Sequence, residues 1–183
     1  MFREWRMKRL RKKVQSSDPQ IRLQTAAKLF CMGDDTVHGI LNSALEDEKL
    51  CPPAALAFEK AGRLVEALPK VERMLLSTKS TWTAVALALN LMYAKEPEAL
   101  PVLATFITKR KSNEFPLWKA PGSDFQPIAV AEDGESIFEQ VIGILGQKGN
   151  REVVSALEVA LKDPSSRVQK AAQAALATLK GRV

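Results

Sequence analysis

Apolar residues recur at spacings of three and four through most of this 183-residue chain, the period of helices that bury one face. Met7, Leu10 and Val14 form the first such stripe and predict a helix over 2–15. Ser16-Ser17-Asp18-Pro19 is a start signal for a second helix, Gln20 to Met32, which Gly33 and Asp34-Asp35 stop. Val37 to Leu45 reads as a third helix, and Pro52 to Ala61 as a fourth that ends at Gly62. Leu68-Pro69 reads as the opening of a fifth, ending near Leu76. Thr81 to Tyr93 is apolar nearly all round, which predicts a helix in the middle of a stack. Pro97 and Pro101 mark the start of another, which runs to about Thr108.

The pattern then breaks. Residues 108–134 hold Lys109-Arg110-Lys111, the aromatics Phe115, Trp118 and Phe125, and three prolines. This stretch is too rich in proline for a helix and too apolar for a plain linker. Helical periodicity returns with Ile137, Val141, Ile142 and Leu145, then Val153 to Leu161. The last helix is read over Asp163 to Leu179, with Asp163 as N-cap and Pro164 in the first turn. Its small residues Ala171, Ala172, Ala174, Ala175 and Ala177 would let a neighbouring helix come close. Arg167, Gln169, Lys170 and Gln173 give it a polar flank that suits the finished end of an array.

The helices repeat. Gly33 and Gly62 lie 29 residues apart, as do Ile21 and Leu50, and Leu29 and Phe58. Ala67-Leu68-Pro69-Lys70-Val71 recurs as Ala99-Leu100-Pro101-Val102-Leu103, and His38 stands where these segments have Pro. A period of about 30 residues made of two short helices describes an α-solenoid. The expected fold is all-α: a short right-handed α-solenoid of antiparallel helix pairs, with about four to five repeats and one irregular insert. The expected division is a single domain over 1–183. It comprises a basic capping helix (1–15), repeats (16–107), the insert (108–134) and C-terminal repeats (135–183).

Asp18-Pro19-Gln20-Ile21-Arg22, followed by Leu29 and Gly33-Asp34, resembles the HEAT repeat, and more narrowly the bacterial PBS-lyase HEAT-like type. Asp163 to Leu179 resembles it too. Matching letters pairs Arg22 with Arg167, whereas the family spacing pairs Ile21 with Val168, Leu29 with Leu176, and sets Gln169 in the Arg slot. The second spacing is preferred. Cys51-Pro52-Pro53 departs from the family pattern, so the Asp–Arg ladder common in such repeats is expected to be mostly absent.

Charge adds one feature. The net charge is +6, and residues 1–13 account for it: Arg3, Arg6, Lys8, Arg9, Arg11, Lys12 and Lys13 against Glu4. The rest of the chain carries equal numbers of each sign. The first helix is therefore either a solvated cap or an anion-binding element for nucleic acid or acidic lipid, with Trp5 and Phe2 as anchors. No run approaches the roughly 20 apolar residues of a membrane span. No apolar stretch follows the basic N-terminus to make a secretory signal. Cys31 and Cys51 read as small buried apolar residues in a reducing compartment, which implies a cytoplasmic protein.

Candidate chemistry is sparse. His38 is the single histidine, and no Ser, Cys or acid is spaced to make a triad with it. No metal spacing and no phosphate loop is present, and no cofactor is expected. The leading expectation is a non-enzymatic adaptor that binds another protein. Its candidate contacts are Phe115, Leu117, Trp118 and Phe125 of the insert, with Asn42, Arg73, Thr105 and Ser155 on the outward faces of the second helices. The resemblance implies an alternative, a lyase or chaperone-like subunit for a bilin. A further alternative is nucleic-acid or anionic-membrane binding through residues 1–13.

Overall fold

The computed structural model describes residues 2–114 and 136–181, and the side chains from residue 4 onward. These residues form ten α-helices and no strand. They divide into two compact units, Met1–Pro97 and Glu98–Val183. The class is the all-α helical solenoid, built from short helix pairs.

The first unit holds α1 (Phe2–Lys13), α2 (Pro19–Cys31), α3 (His38–Ala44), α4 (Cys51–Lys60), α5 (Leu64–Ser77) and α6 (Thr81–Tyr93). Local signals set most boundaries. The Asp18 carboxylate accepts from the backbone N–H groups of Gln20 and Ile21, at 2.8 and 3.2 Å, and Pro19 takes a position that needs no N–H. Gly33 (φ +83°) and Gly62 (φ +68°) turn the chain out of α2 and α4 in the left-handed region that a Cβ disfavours. Ser80 caps α6 through the N–H of Thr83.

The core of this unit runs through Leu23, Ala26, Leu29 and Phe30 of α2, Ala54 and Phe58 of α4, Val71 and Leu75 of α5, and Leu87 and Leu91 of α6. Phe30 and Phe58 meet edge to face, with centroids 5.0 Å apart. Each of the valine, leucine and phenylalanine side chains among them, when fully buried, contributes about 1.5–3 kcal/mol.

The second unit holds α7 (Ala99–Lys109), α8 (Ile137–Lys148), α9 (Val154–Ala160) and α10 (Ser166–Lys180). Ser136 and Glu139 make a reciprocal capping box at the start of α8. Phe106 of α7 packs on Phe138 of α8 at 5.0 Å. Val168, Ala172, Ala175 and Leu179 are the buried stripe of α10.

Several boundaries and faces differ from the sequence expectation. Helix α5 begins at Leu64, not at Leu68-Pro69, so Pro69 sits inside it. Leu64 and Ala67 are fully buried, and that packing extends the helix back to the end of the Gly62 turn. Helix α10 begins at Ser166 behind an N-cap at Ser165. Asp163 instead binds the N–H of Ser165 at 2.8 Å and the hydroxyl of Ser112 at 2.7 Å. Of its five small residues only Ala172 and Ala175 are buried, while Ala174 and Ala177 face outward. Helix α6 is buried along one side, but Trp82 and Tyr93 are exposed at 48% and 50%. Cys31, the last residue of α2, is exposed, with its thiol 3.9 Å from the Ala57 carbonyl of α4, whereas Cys51 is buried.

The register of the last repeat is visible in a pair of hydrogen bonds. Arg22 Nη1 donates to the Ser16 carbonyl at 3.2 Å, and Gln169 Nε2 donates to the Asp163 carbonyl at 2.7 Å. Both reach back six residues, so Gln169 occupies the Arg slot. Burial does not follow the same spacing, since Ile21 is 46% exposed and Val168 is 1% exposed.

Candidate functional site

Helix α1 turns Val14 inward, with Met7 and Leu10 half-buried beside it. The basic residues are left outside. Arg6, Lys8, Arg9, Lys12 and Lys13 are exposed, and none pairs with a carboxylate among the described residues. The Arg9 guanidinium lies over the ring of Trp5 at 5.9 Å. Arg11 differs, because its Nε donates to Oδ2 of the buried Asp34 at 2.7 Å. It is a tie to the next repeat and not a free anion-binding group. The side chains of Phe2 and Arg3 lie outside the described residues.

Asp34 is the most enclosed charge of the first unit. Besides Arg11 it accepts from Thr36 Oγ1 at 2.6 Å and Thr36 N at 3.2 Å. The hydrogen bond from Arg11, then that from Thr36, hold its carboxyl below the ordinary range, against the opposing effect of burial. Its neighbour Asp35 pairs with Arg63, which also bonds Glu66 at 2.6 and 3.0 Å. Hydrogen bonding from Arg63 keeps Glu66 ionised below its usual range. His38 Nε2 lies 3.2 Å from Glu66 Oε2, and the ring rests edge-on against Phe58 at 5.6 Å. The Arg63 guanidinium covers Phe30 at 4.5 Å. His38 is thus a packed residue between two repeats, in contact with Glu66 and Phe58.

Similar ties link other neighbouring repeats. Lys70 donates to the Asn42 carbonyl at 3.1 Å and to Glu46 at 2.7 Å. Arg167 pairs with Glu139 at 3.0 Å. A polar ladder is therefore present, although the Asp-Pro-x-Val-Arg signature fails in the middle repeats. Different positions supply it.

The partner-binding candidates on the second helices are dispersed. Asn42 on α3 is half-buried and Arg73 on α5 is exposed. Thr105 on α7 donates its hydroxyl to the Pro101 carbonyl at 3.0 Å, and Ser155 on α9 is exposed. No hydrogen bond or ion pair joins any two of the four among the described residues. Phe115, Leu117, Trp118 and Phe125 lie outside the described residues.

The sequence did not mark one feature of the second unit. An open groove of about 590 Å³ lies against the turn between α8 and α9, α9 itself and the C-terminal end of α10. Val154, Leu176 and Leu179 give it an apolar surface, and Arg151 and Lys180 bring two cations. The groove interrupts the polar end expected from Arg167, Lys170 and Gln173. It was hidden because its two sides, residues 149–154 and Leu176, Leu179 and Lys180 of α10, lie far apart in the chain.

Among the described residues no helix is long and apolar enough to cross a membrane. No protein-family model matches the sequence, and no curated protein matches it significantly. A solved structure does: the complex of CpcE and CpcF of phycocyanin lyase from Nostoc sp. PCC7120, with a TM-score of 0.55 and 25% identity. The similarity covers 93% of this chain and 63% of that one, so this chain spans less than two thirds of the other's length. The finding corrects the expectation of a non-enzymatic class, since the matched structure is of a lyase. That expectation rested on the lack of a triad or metal spacing in one chain. In a complex of two chains, chemistry need not show as such a pattern in either. The resemblance read from Asp18–Arg22 and Asp163–Leu179 stands as a likeness: the chain is a helical solenoid similar in fold to that lyase complex.

Proposed function

We propose that this chain is a bilin lyase or chaperone-like subunit of the PBS-lyase type, which handles an open-chain tetrapyrrole together with a second protein chain. The observation that carries the proposal is the likeness, over nearly the whole chain, to a two-chain phycocyanin lyase complex. The exposed second-helix residues Arg73 and Ser155 suit the contact with the partner chain, as do Trp118 and the other aromatics of 108–134.

The test is direct. The purified protein is mixed with a free bilin and passed through gel filtration while the visible band is followed. Pigment that travels with the protein, with a sharpened and shifted band, supports the proposal. Pigment that separates completely, with and without a candidate partner chain, overturns it.

A second reading rests on α1, where Arg6, Lys8, Arg9, Lys12 and Lys13 are exposed without carboxylate partners among the described residues and Arg9 lies over Trp5. They would hold an anionic partner, nucleic acid or acidic lipid, by phosphate contacts. Deletion of residues 2–13 would then abolish a salt-sensitive association, and liposome flotation would separate the two partners.

A further inference from the structure

We infer that the groove beside α9 and α10 is the seat of the tetrapyrrole, with Arg151 and Lys180 holding its two propionate groups. This rests on the function proposed above and names the site at which the ligand is held.

The volume comes first. About 590 Å³ falls within the range of sites that take molecules of several hundred daltons. The surface is second. Val154 and Leu176 are half-buried and Leu179 is buried, which leaves apolar surface for a flat conjugated molecule to cover. Charge is third. Arg151 and Lys180 are exposed, and neither pairs with a carboxylate among the described residues. The nearest acid along the chain, Glu152, is engaged by Asn150: its N–H donates to Asn150 Oδ1 at 2.9 Å, and its carboxylate accepts from Asn150 Nδ2 at 3.3 Å. An apolar surface with two cations that no carboxylate among the described residues neutralises fits an apolar ligand that carries two carboxylates. A guanidinium accepts a carboxylate in a two-pronged bond, and an ammonium acts as a point charge.

The wall is also fixed in place. A Cβ on Gly149 would run into the Leu145 carbonyl and the Val153 side chain, so the turn that carries Arg151 is tightly packed. The backbone of such a turn is set before a ligand arrives, and only the exposed Arg151 side chain has to order on binding.

The experiment uses the full chain with biliverdin and with biliverdin dimethyl ester, followed by visible absorption and induced circular dichroism. The expected result is that biliverdin binds and that its ester binds about tenfold more weakly or worse. The double variant Arg151→Glu/Lys180→Glu should show a comparable loss for biliverdin and little change for the ester. Lys170→Glu, elsewhere on α10, should leave binding unchanged. The ester comparison needs no variant, so a folding defect in the double variant cannot hide the answer. Biliverdin binding that neither charge reversal nor esterification alters overturns the site and leaves the proposed function standing. Failure of the native chain to bind any bilin, alone and with a candidate partner chain, overturns both. A native dimer that the double variant converts to monomer assigns the groove to a second copy and overturns the inference.

Discussion

Gly146 of α8 and Ala175 of α10 approach so closely that a Cβ built on the glycine would lie 2.6 Å from the Ala175 Cβ and 2.7 Å from its Cα. The obstacle includes backbone, so no flexible side chain can move aside. Gly146→Ala should gain up to about 1 kcal/mol of helix propensity and lose more to overpacking, for a net loss of about 1–2 kcal/mol. Gly143, on the same helix, has nothing within 4 Å of such a Cβ. Gly143→Ala should therefore stabilise by about 0.5–1 kcal/mol. Urea denaturation of the two variants should shift in opposite directions; a shared direction would refute the close approach.

The two glycines that end α2 and α4 make a different case. Gly33 and Gly62 have open space around them but positive φ. Gly33→Ala and Gly62→Ala should each cost about 1–2 kcal/mol through backbone conformation alone. Asn, which tolerates the left-handed region, should recover part of the loss at either position in thermal melts.

Asp34 gives a pH signature. Its folded carboxyl titrates below the ordinary value of 3.8, chiefly through the hydrogen bond from Arg11. A depressed carboxyl contributes stability that is fully present above the unfolded value and is lost as pH falls through the folded one. Asp34→Asn should thus lower the melting temperature by about 3 °C at neutral pH. The gap to the native protein should narrow below pH 4. A gap that stays constant down to pH 2 would exclude the ion pair as its source.

The thiols should separate cleanly. Burial, and secondarily the Asp47 charge, push Cys51 up to about 12, while Cys31 is exposed at the end of α2. The thiolate is the reactive form. At pH 8 a maleimide should label one site per native chain, Cys31, and a second only on unfolding, as mass spectrometry would show.

Gln169 tests the repeat register. Gln169→Leu removes its bond to the Asp163 carbonyl and should cost about 1 kcal/mol. Gln169→Arg, which installs the residue found at the equivalent Arg22, should retain most of the stability. Equal losses in both would argue against the equivalence.

Much of the helical order was legible because its signals are local. Asp18-Pro19, Gly33, Gly62 and Ser80 punctuate the chain through caps and backbone geometry, and α6 was read over its full observed span. Two helix starts misled for a related reason. Pro69 looks like a first-turn residue, but the burial of Leu64 and Ala67 carries α5 backward. Asp163-Pro164 looks like a cap and first turn, but Asp163 accepts from the N–H of Ser165 and from Ser112, 51 positions earlier, and α10 starts only at Ser166. Exposure was less legible. Cys31 and Trp82 sit in apolar stretches, and only the packing decides which side of the helix faces out. The groove combines Arg151 with Lys180, residues that no local pattern connects.

The ties between successive repeats join residues at short and regular separations: 28 for Arg63 with Asp35, for Lys70 with the Asn42 carbonyl and for Arg167 with Glu139. Every such link closes a loop of about one repeat. Low contact order of this kind favours rapid folding, in which one repeat serves as template for the next. It also localises damage. Hydrogen exchange on a chain with Arg63 replaced should speed up around α2 to α5 while the amides of α8 and α10 keep their native protection. Sequence change can then accumulate repeat by repeat, with each repeat answerable only to its immediate neighbours.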